Sequence, residues 1–241
     1  IGAAVRAGGL AMCCVVLLLS IGFAMWSFIN RTTRVVVASQ PIFLYIICAG
    51  TFLMGTTIIT LSVDDEIASE SGSDAACATS PWLFQLGFTL VFAGLYSKTN
   101  RVNQLFRNPS MTRKVITVWD VIKPLCTIMI FNVIVLSVWT ALNPVHFERT
   151  IVEVDRFGRP TESLGQCSYD GSLPYIIILA VVDIGSLVVA MWESYMARDI
   201  ATAFSESLYI ANAMSSVFLV SVVGIPVIAL TGEEPRAQFF V

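Results

Sequence analysis

Charged residues are scarce in this sequence, and their scarcity excludes an ordinary soluble domain. Only 13% of the 241 residues are charged, whereas 56% are hydrophobic, and soluble domains usually carry about 25% charged residues. The composition therefore indicates a protein embedded in a membrane. Histidine is scarcer still, since His146 is alone in the chain, and no His or Cys cluster has the spacing of metal ligands. We predict no metal site and no cofactor.

The sequence also lacks the short motifs of common enzyme classes. It has no glycine-rich phosphate loop and no nucleophile elbow, the motifs that position phosphates and catalytic serines, so we interpret the protein as not an enzyme. The chain begins with Ile1 and ends with "AQFFV". We expect it to be a fragment or core of a longer protein.

Long apolar segments are abundant. A helix needs about 20 apolar residues to cross the hydrocarbon core, and six segments qualify: about 8–29, 35–63, 81–98, 117–142, 174–196 and 207–231. They are too long for barrel strands, which have about 10 residues. After the sixth segment, "GEEPR" is interpreted as a loop and 237–241 as the start of a truncated seventh helix. The prediction is an all-α, seven-transmembrane helix bundle that occupies residues 1–241 as one domain.

The charges between these segments predict how the chain crosses the membrane. The first connection contains Arg31 and Arg34, and the third, 98–114, has basic residues and no acid, whereas the second, 64–80, has acids and no base. Lys and Arg favour the cytoplasmic side. The protein is therefore predicted to lie in the cell membrane with an extracellular N-terminus and a cytoplasmic C-terminus. This topology explains the basic residues better than nucleic-acid binding does, so we expect no nucleic-acid partner.

Two of the six cysteines differ from the others. Four lie within or at the ends of apolar segments, where a small buried side chain is expected. Cys77 and Cys167 lie in loops predicted on the oxidising outer side, just before the third and the fifth helix. A disulfide between them would tie the second outer loop to the top of the third helix. The alternative is two free thiols.

Three segments carry recognisable motifs. In the first, "CATSPWLFQLGFTLVFAGLYSKTNRVNQLFRN", a cysteine precedes a W-L…GFTL-F…KTNRV run and a basic loop. In the second, "MWES" precedes "ESLYIANAMSSVFLVSVVGIPVIAL". The third, "GIPVIALTGEEPRAQFFV", ends the chain. Over about residues 35–241 they resemble the transmembrane domain of class C G-protein-coupled receptors, and most of all the metabotropic GABA-B type. Asn100 stands where the family has Trp, and Leu208 replaces a Lys. These departures bear on which G protein is recognised.

The resemblance implies a function and a set of partners. It implies a receptor core that transmits extracellular ligand binding to a heterotrimeric G protein by rearrangement of the helix bundle. An amino-acid-like agonist would bind an extracellular domain outside this chain. The receptor would work in membrane lipid as a homo- or heterodimer with another class C receptor.

The same resemblance suggests a role for the polar stretch 193–206 between the fifth and sixth segments. It maps Lys98 and Glu206 onto the family's inner ionic lock. Unpaired charges at the edge of hydrocarbon are costly, and a carboxylate at a helix N-terminus is stabilised by the helix dipole. The hypothesis is that this pair favours the inactive state. The alternative is that both charges extend independently to the interface.

The basic connections have two interpretations. They could contact a G protein, or they could reflect only the positive-inside bias and attraction to anionic lipid. The candidate G-protein-facing residues are Arg31, Arg34, Arg101, Arg107, Asn108, Met111, Arg113, Lys114 and Arg198.

Asp183 lies near the middle of the fifth segment, where a charge is costly, and no motif of the family accounts for it. It could line a small-molecule pocket or a water site. The alternative is a protonated carboxyl that is hydrogen-bonded to a neighbouring helix. The loop 143–173, with a turn signal at "DRFGRP", is predicted to form a hairpin over the extracellular mouth.

Two other classes of membrane protein fit the sequence less well. A channel or transporter predicts several intramembrane ionisable groups along a path, or inverted repeats, but the sequence shows one such acid and no repeat. A structural membrane protein predicts tolerance of changes at Lys98 and Glu206. The receptor interpretation explains the loops, the cysteines and the polar stretch together.

Overall fold

A computed structural model describes residues 3–38, 40–63, 68–106, 118–154, 160–197 and 206–230. Within them lie seven helices and one pair of strands. In chain order these are α1 (Ala3–Ile29), α2 (Arg34–Ala38), α3 (Pro41–Leu61), α4 (Glu70–Phe106), α5 (Val118–Leu142), β1 (His146–Val154), β2 (Pro160–Ser168), α6 (Leu173–Ala197) and α7 (Glu206–Leu230).

Apolar length marks most of these helices as membrane spans. In the described part of the chain, four stretches are long and apolar enough to cross a membrane: Arg6–Ile29, Pro41–Leu61, Glu70–Asn100 and Leu173–Met196. Two shorter apolar stretches, Cys126–Leu142 and Ala211–Gly224, lie in α5 and α7. The all-helical prediction for the apolar segments agrees with these elements. The expected start of a seventh span, 237–241, lies outside the described residues.

The second apolar segment, 35–63, is not one continuous helix. It is divided into α2 and α3, and Gln40 between them has a φ of 57°. The cause is Pro41, because a proline disfavours helical backbone at the residue before it while suiting the first position of a new helix.

Helix α4 begins at Glu70, eleven residues before the apolar segment predicted at 81–98. Hydropathy marks only the part of a helix that lies in hydrocarbon, whereas the helix itself continues into polar sequence. An acid in the first turn favours this start, since Glu70 complements the positive end of the helix dipole. Cys77 therefore lies on a helix and not in a loop.

Helix α4 is the centre of the bundle and contacts α3, α5, α6, α7 and β1. It lies closest to α3, where glycines let the backbones meet. A Cβ added at Gly87 would lie 2.7 Å from the backbone N of Met54, and one at Gly50 would lie 2.7 Å from the Gly87 carbonyl oxygen. Phe88 and Phe92 of α4 form a buried cluster with α6 and α7 side chains, and Met54 of α3 packs against this cluster.

Helix α1 packs against α3 on the side away from α4. The Ser20 hydroxyl donates a 2.7 Å hydrogen bond to the Cys48 carbonyl oxygen, and the Cys13 thiol donates to the Gly55 carbonyl at 3.2 Å. These bonds satisfy small polar groups that face another helix rather than lipid.

Strands β1 and β2 form an antiparallel hairpin between α5 and α6, with His146 opposite Ser168, Val154 opposite Pro160 and an irregular register between Ile151 and Val154. The hairpin predicted in the loop 143–173 is therefore confirmed. The turn at 155–159 lies outside the described residues. The end of the bundle that carries the hairpin is called the hairpin end below, and the opposite end, near Lys98, the Lys98 end.

Candidate functional site

The hairpin is attached to the top of α4 at two points. Cys77 of α4 and Cys167 of β2 form a disulfide, with their Cα atoms 5.6 Å apart, which is the pair that the sequence predicts. One helical turn earlier, the Asp74 carboxylate accepts a 2.7 Å hydrogen bond from the backbone N–H of Phe147 in β1. Because one attachment is on each strand, the hairpin cannot rotate freely about the disulfide.

The two tryptophans at the hairpin end join α4, α5 and α6. Trp139 of α5 donates a 2.9 Å hydrogen bond to the Ser172 hydroxyl at the start of α6, and its ring stacks on Tyr175 at 6.1 Å between centroids. Trp82 of α4 donates to the Thr140 hydroxyl at 2.9 Å. Both indoles bury an apolar body and satisfy their single donor. Together with the hairpin attachments, they make the hairpin end one packed unit.

Near the middle of the bundle, polar side chains link α4 to α5 and α6. The Gln85 amide of α4 donates a 2.8 Å hydrogen bond to the Asp183 carboxyl of α6. The Asn132 amide of α5 donates at 2.9 Å to the Thr89 hydroxyl, which in turn donates at 2.7 Å to the Gln85 carbonyl oxygen. We call Gln85, Thr89, Asn132 and Asp183 the polar layer.

Asn132 is the most enclosed member of the polar layer, with no exposed surface. Its amide oxygen is buried and has no hydrogen-bond partner among the described residues. An unpaired buried acceptor costs free energy.

Asp183 was the only member of the polar layer that sequence reasoning identified. The structure hydrogen-bonds its carboxyl to the neighbouring helix α4, while its protonation and a role in a pocket or water site stay predictions. Gln85, Thr89 and Asn132 were missed. The spacing of Gln85 and Thr89 was the available signal, because residues four apart lie on one face of a helix.

At the Lys98 end, one partner of the predicted ionic lock is described in full. Lys98 of α4 is buried, with 8% of its surface exposed. Glu206 is the first residue of α7, and α7 contacts α4. The Glu206 side chain lies outside what the structure describes, so the pairing stays a prediction.

The candidate G-protein-facing residues are described only in part. Arg31 and Arg34 are exposed between α1 and α3, and the Arg31 guanidinium lies 5.0 Å above the Phe28 ring. Arg101 is known only as part of the α4 backbone. The remaining candidates lie outside the described residues: Arg107, Asn108, Met111, Arg113, Lys114 and Arg198.

Metal binding was also considered. Within the described ranges, His, Cys, Asp and Glu side chains nowhere form a group of three that could hold a metal ion.

Known proteins resemble the chain over nearly its whole length. The family described as "7 transmembrane sweet-taste receptor of 3 GCPR" matches residues 1–240. The gamma-aminobutyric acid type B receptor subunit 2 of Rattus norvegicus is 23% identical over 229 residues, which cover 92% of this chain and 24% of that receptor. The subunit 2 of Caenorhabditis elegans is 26% identical over 226 residues, covering 92% of this chain and 27% of the relative.

A relative from an amoeba extends this comparison. The metabotropic glutamate receptor-like protein B of Dictyostelium discoideum is 28% identical over 194 residues, which cover 79% of this chain and 24% of that protein. The chain thus spans about a quarter of the length of the relatives that it matches. The match confirms the predicted seven-transmembrane fold and a multi-pass membrane protein, in a family of receptors rather than of enzymes. The chain belongs to the class C G-protein-coupled receptors, as their transmembrane domain.

Proposed function

We propose that this domain transmits extracellular ligand binding to a heterotrimeric G protein by rearrangement of its helices, without an enzymatic activity of its own. The double attachment of the hairpin to α4, through Cys77–Cys167 and Asp74–Phe147, is the observation that carries the proposal. A force on the hairpin passes to α4, and α4 contacts α3, α5, α6 and α7. One helix can therefore distribute an input to the rest of the bundle.

The proposed orientation places the hairpin end outside the cell. A disulfide persists in an oxidising compartment, and the basic residues of the first and third connections favour the cytoplasm. The N-terminus is then extracellular and the C-terminus cytoplasmic. An extracellular domain of the full-length receptor would bind an amino-acid-like agonist, because the relatives are named for gamma-aminobutyric acid and glutamate.

At the Lys98 end, we infer that Lys98 and Glu206 form a salt bridge that favours the inactive state. A buried ammonium needs a partner, because a charge without one is costly near hydrocarbon. Glu206 is an acid at the start of α7, a helix that contacts α4. A change of only about 1.4 kcal/mol would alter the ratio of the two states tenfold.

We further propose that the receptor works in membrane lipid as a homo- or heterodimer with another class C receptor. The same family likeness supports this proposal. Pull-down of a second class C receptor with the full-length chain from cells would test it, and recovery as a monomer alone would contradict it.

The function is tested by expressing the full-length receptor with a reporter of G-protein dissociation. We expect dissociation above that of cells without the receptor, and more with Lys98→Glu, because two acids would repel. Adding Glu206→Lys should restore the lower level by re-forming the pair with reversed charges. Failure of the double variant to restore it, at equal surface expression, would contradict the lock, and no dissociation with any variant would contradict the coupling.

A further inference from the structure

A cavity lies between α4, α5 and α6 on the Lys98 side of the polar layer. It has a volume of about 300 Å³ and is lined by Phe92 and Tyr96 of α4, Ile128 of α5, and Gly185, Ser186 and Val189 of α6. The cavity is separate from the polar layer, because on α4, α5 and α6 alike the residues that line the cavity lie closer to the Lys98 end than the residues of the polar layer. The volume is at the lower limit of ligand sites, about 300–1,000 Å³, which suits a compact molecule rather than a phospholipid.

The cavity walls are apolar and carry a few hydroxyl groups. The Phe92 and Tyr96 rings stack at 5.8 Å between centroids, with 16° between their planes, and form a flat aromatic wall. Within the described part of the lining there is no charged side chain. Apolar walls with a few placed polar groups are typical of small-molecule sites.

Two of these hydroxyl groups are available to a ligand. The Tyr96 and Ser186 hydroxyls line the cavity and can each donate one hydrogen bond, although the Glu193 carboxylate lies within electrostatic reach of Tyr96. A ligand oxygen that accepts hydrogen bonds would satisfy them.

The mouth of the cavity opens onto an apolar surface. Val189 at the mouth is 52% exposed, and its neighbours Val188 and Trp192 are 46% and 61% exposed. In a membrane span, this surface faces hydrocarbon. A ligand that arrives from there must be uncharged, because a charge would be costly on the way.

Gly185 is an exposed residue of the cavity lining. A Cβ added there meets no atom within 4 Å, so a larger side chain would have room without disturbing the helices. It would occupy the entrance instead.

We propose that this cavity is a binding site for an uncharged, lipid-soluble small molecule that presents a carbonyl-type hydrogen-bond acceptor to Tyr96 and Ser186. The aromatic wall holds the apolar body of the molecule, and the hydroxyls fix its orientation. This proposal is independent of the G-protein proposal, since binding can be measured without signalling.

The test uses benzophenone, an uncharged and lipid-soluble diaryl ketone, with the full-length protein in phosphatidylcholine nanodiscs. Under ultraviolet light its excited carbonyl removes a hydrogen atom from a nearby C–H bond, and the two carbon radicals join. The ketone thereby becomes a tertiary alcohol bonded to the protein. We expect mass spectrometry to find adducts that saturate with concentration and are concentrated in 92–97 and 185–189.

Filling the mouth should abolish this labelling. With Gly185→Leu we expect at least about tenfold less adduct at these positions, whereas Gly22→Leu should label normally. Gly22 is the matched control, because it is an exposed helical glycine with nothing within 4 Å and does not line the cavity. Labelling that is spread over all lipid-facing helices, or is unchanged by Gly185→Leu, would overturn the proposal.

A second variant tests the role of the hydroxyls and does not depend on the folding of the first. Ser186→Ala removes one donor with little change of volume. We expect the half-saturating benzophenone concentration to rise about three- to tenfold, the usual loss for one hydrogen bond. An unchanged concentration would overturn the proposed recognition of a carbonyl.

Discussion

Helix α4 is held differently at its hairpin end and at its middle. At the hairpin end, a covalent bond from Cys77 and a hydrogen bond to Asp74 attach it to the two strands. At the middle, Gln85 and Thr89 join it to α6 and α5 through side-chain hydrogen bonds, and Phe88 and Phe92 pack against α6 and α7. Such bonds contribute about 0.6 kcal/mol on average between membrane helices, which is close to the thermal energy, whereas the disulfide does not open reversibly. From this difference we expect α4 to move with the hairpin as one unit, while the hydrogen bonds at its middle exchange partners more readily.

The largest effect is expected from breaking the covalent attachment. Cys77→Ser opens a loop of 90 residues, and the chain-entropy treatment assigns about 4–5 kcal/mol to its closure. We expect a large fall in the thermal stability of the detergent-solubilised protein and in surface expression. Cys14→Ser is the control, because Cys14 is free and exposed. Equal stability of the two variants would show that the hairpin end is held by packing alone.

An intermediate effect is expected from the second attachment. Asp74→Ala leaves the Phe147 N–H without its carboxylate acceptor, a loss of about 1.5–3 kcal/mol for a hydrogen bond to a charged group, and less where water can replace the acceptor. We expect a lower unfolding temperature and faster hydrogen exchange of the β1 amides. Asp170→Ala, which changes an exposed acid in the turn before α6, should leave both unchanged. Unaltered exchange in Asp74→Ala would contradict the role of this bond.

The smallest effect is expected in the polar layer, measured as a coupling energy. A double-mutant cycle of Gln85→Leu and Asp183→Leu should give a coupling of about 0.6–1.7 kcal/mol, since each single change leaves the other side chain unpaired. Thermal unfolding of the four proteins measures it.

The control for this cycle is Ser137→Ala, because among the described residues the Ser137 hydroxyl donates to the Val133 carbonyl of its own helix. Paired with Gln85→Leu, it should show no coupling. A Gln85–Asp183 coupling above about 4 kcal/mol would erase the contrast with the covalent attachment, and a coupling of zero would show that the bond does not join the helices.

The features that sequence predicted are those that depend on one segment at a time. Hydropathy found the helices, turn signals found the hairpin, and the charges of the loops placed Cys77 and Cys167 on one side of the membrane. Pro41 indicated the break at Gln40, but the apolar length of segment 35–63 made it look like one continuous helix.

The polar layer was beyond this reasoning for a physical reason. Whether Asn132 meets Thr89 depends on how α5 is rotated about its axis against α4, and packing over the whole helix surface sets that rotation. A lone polar residue in an apolar segment does not reveal its partner. The sequence also does not predict the glycine contact between α3 and α4, because Gly50 and Gly87 meet only in the folded chain.

The most direct test of a fixed hairpin end and a movable bundle is a pair of distance measurements by electron–electron double resonance, with and without a nucleotide-free G protein. Exposed labelling positions exist at both ends, namely Thr79 and Tyr169 at the hairpin end, and Lys123 and Tyr209 at the Lys98 end. The labels are introduced in a protein in which Ser replaces the exposed cysteines Cys14 and Cys126. We predict an unchanged Thr79–Tyr169 distance and a shifted Lys123–Tyr209 distance when the G protein is added. A shift of the first distance with no shift of the second would contradict the account.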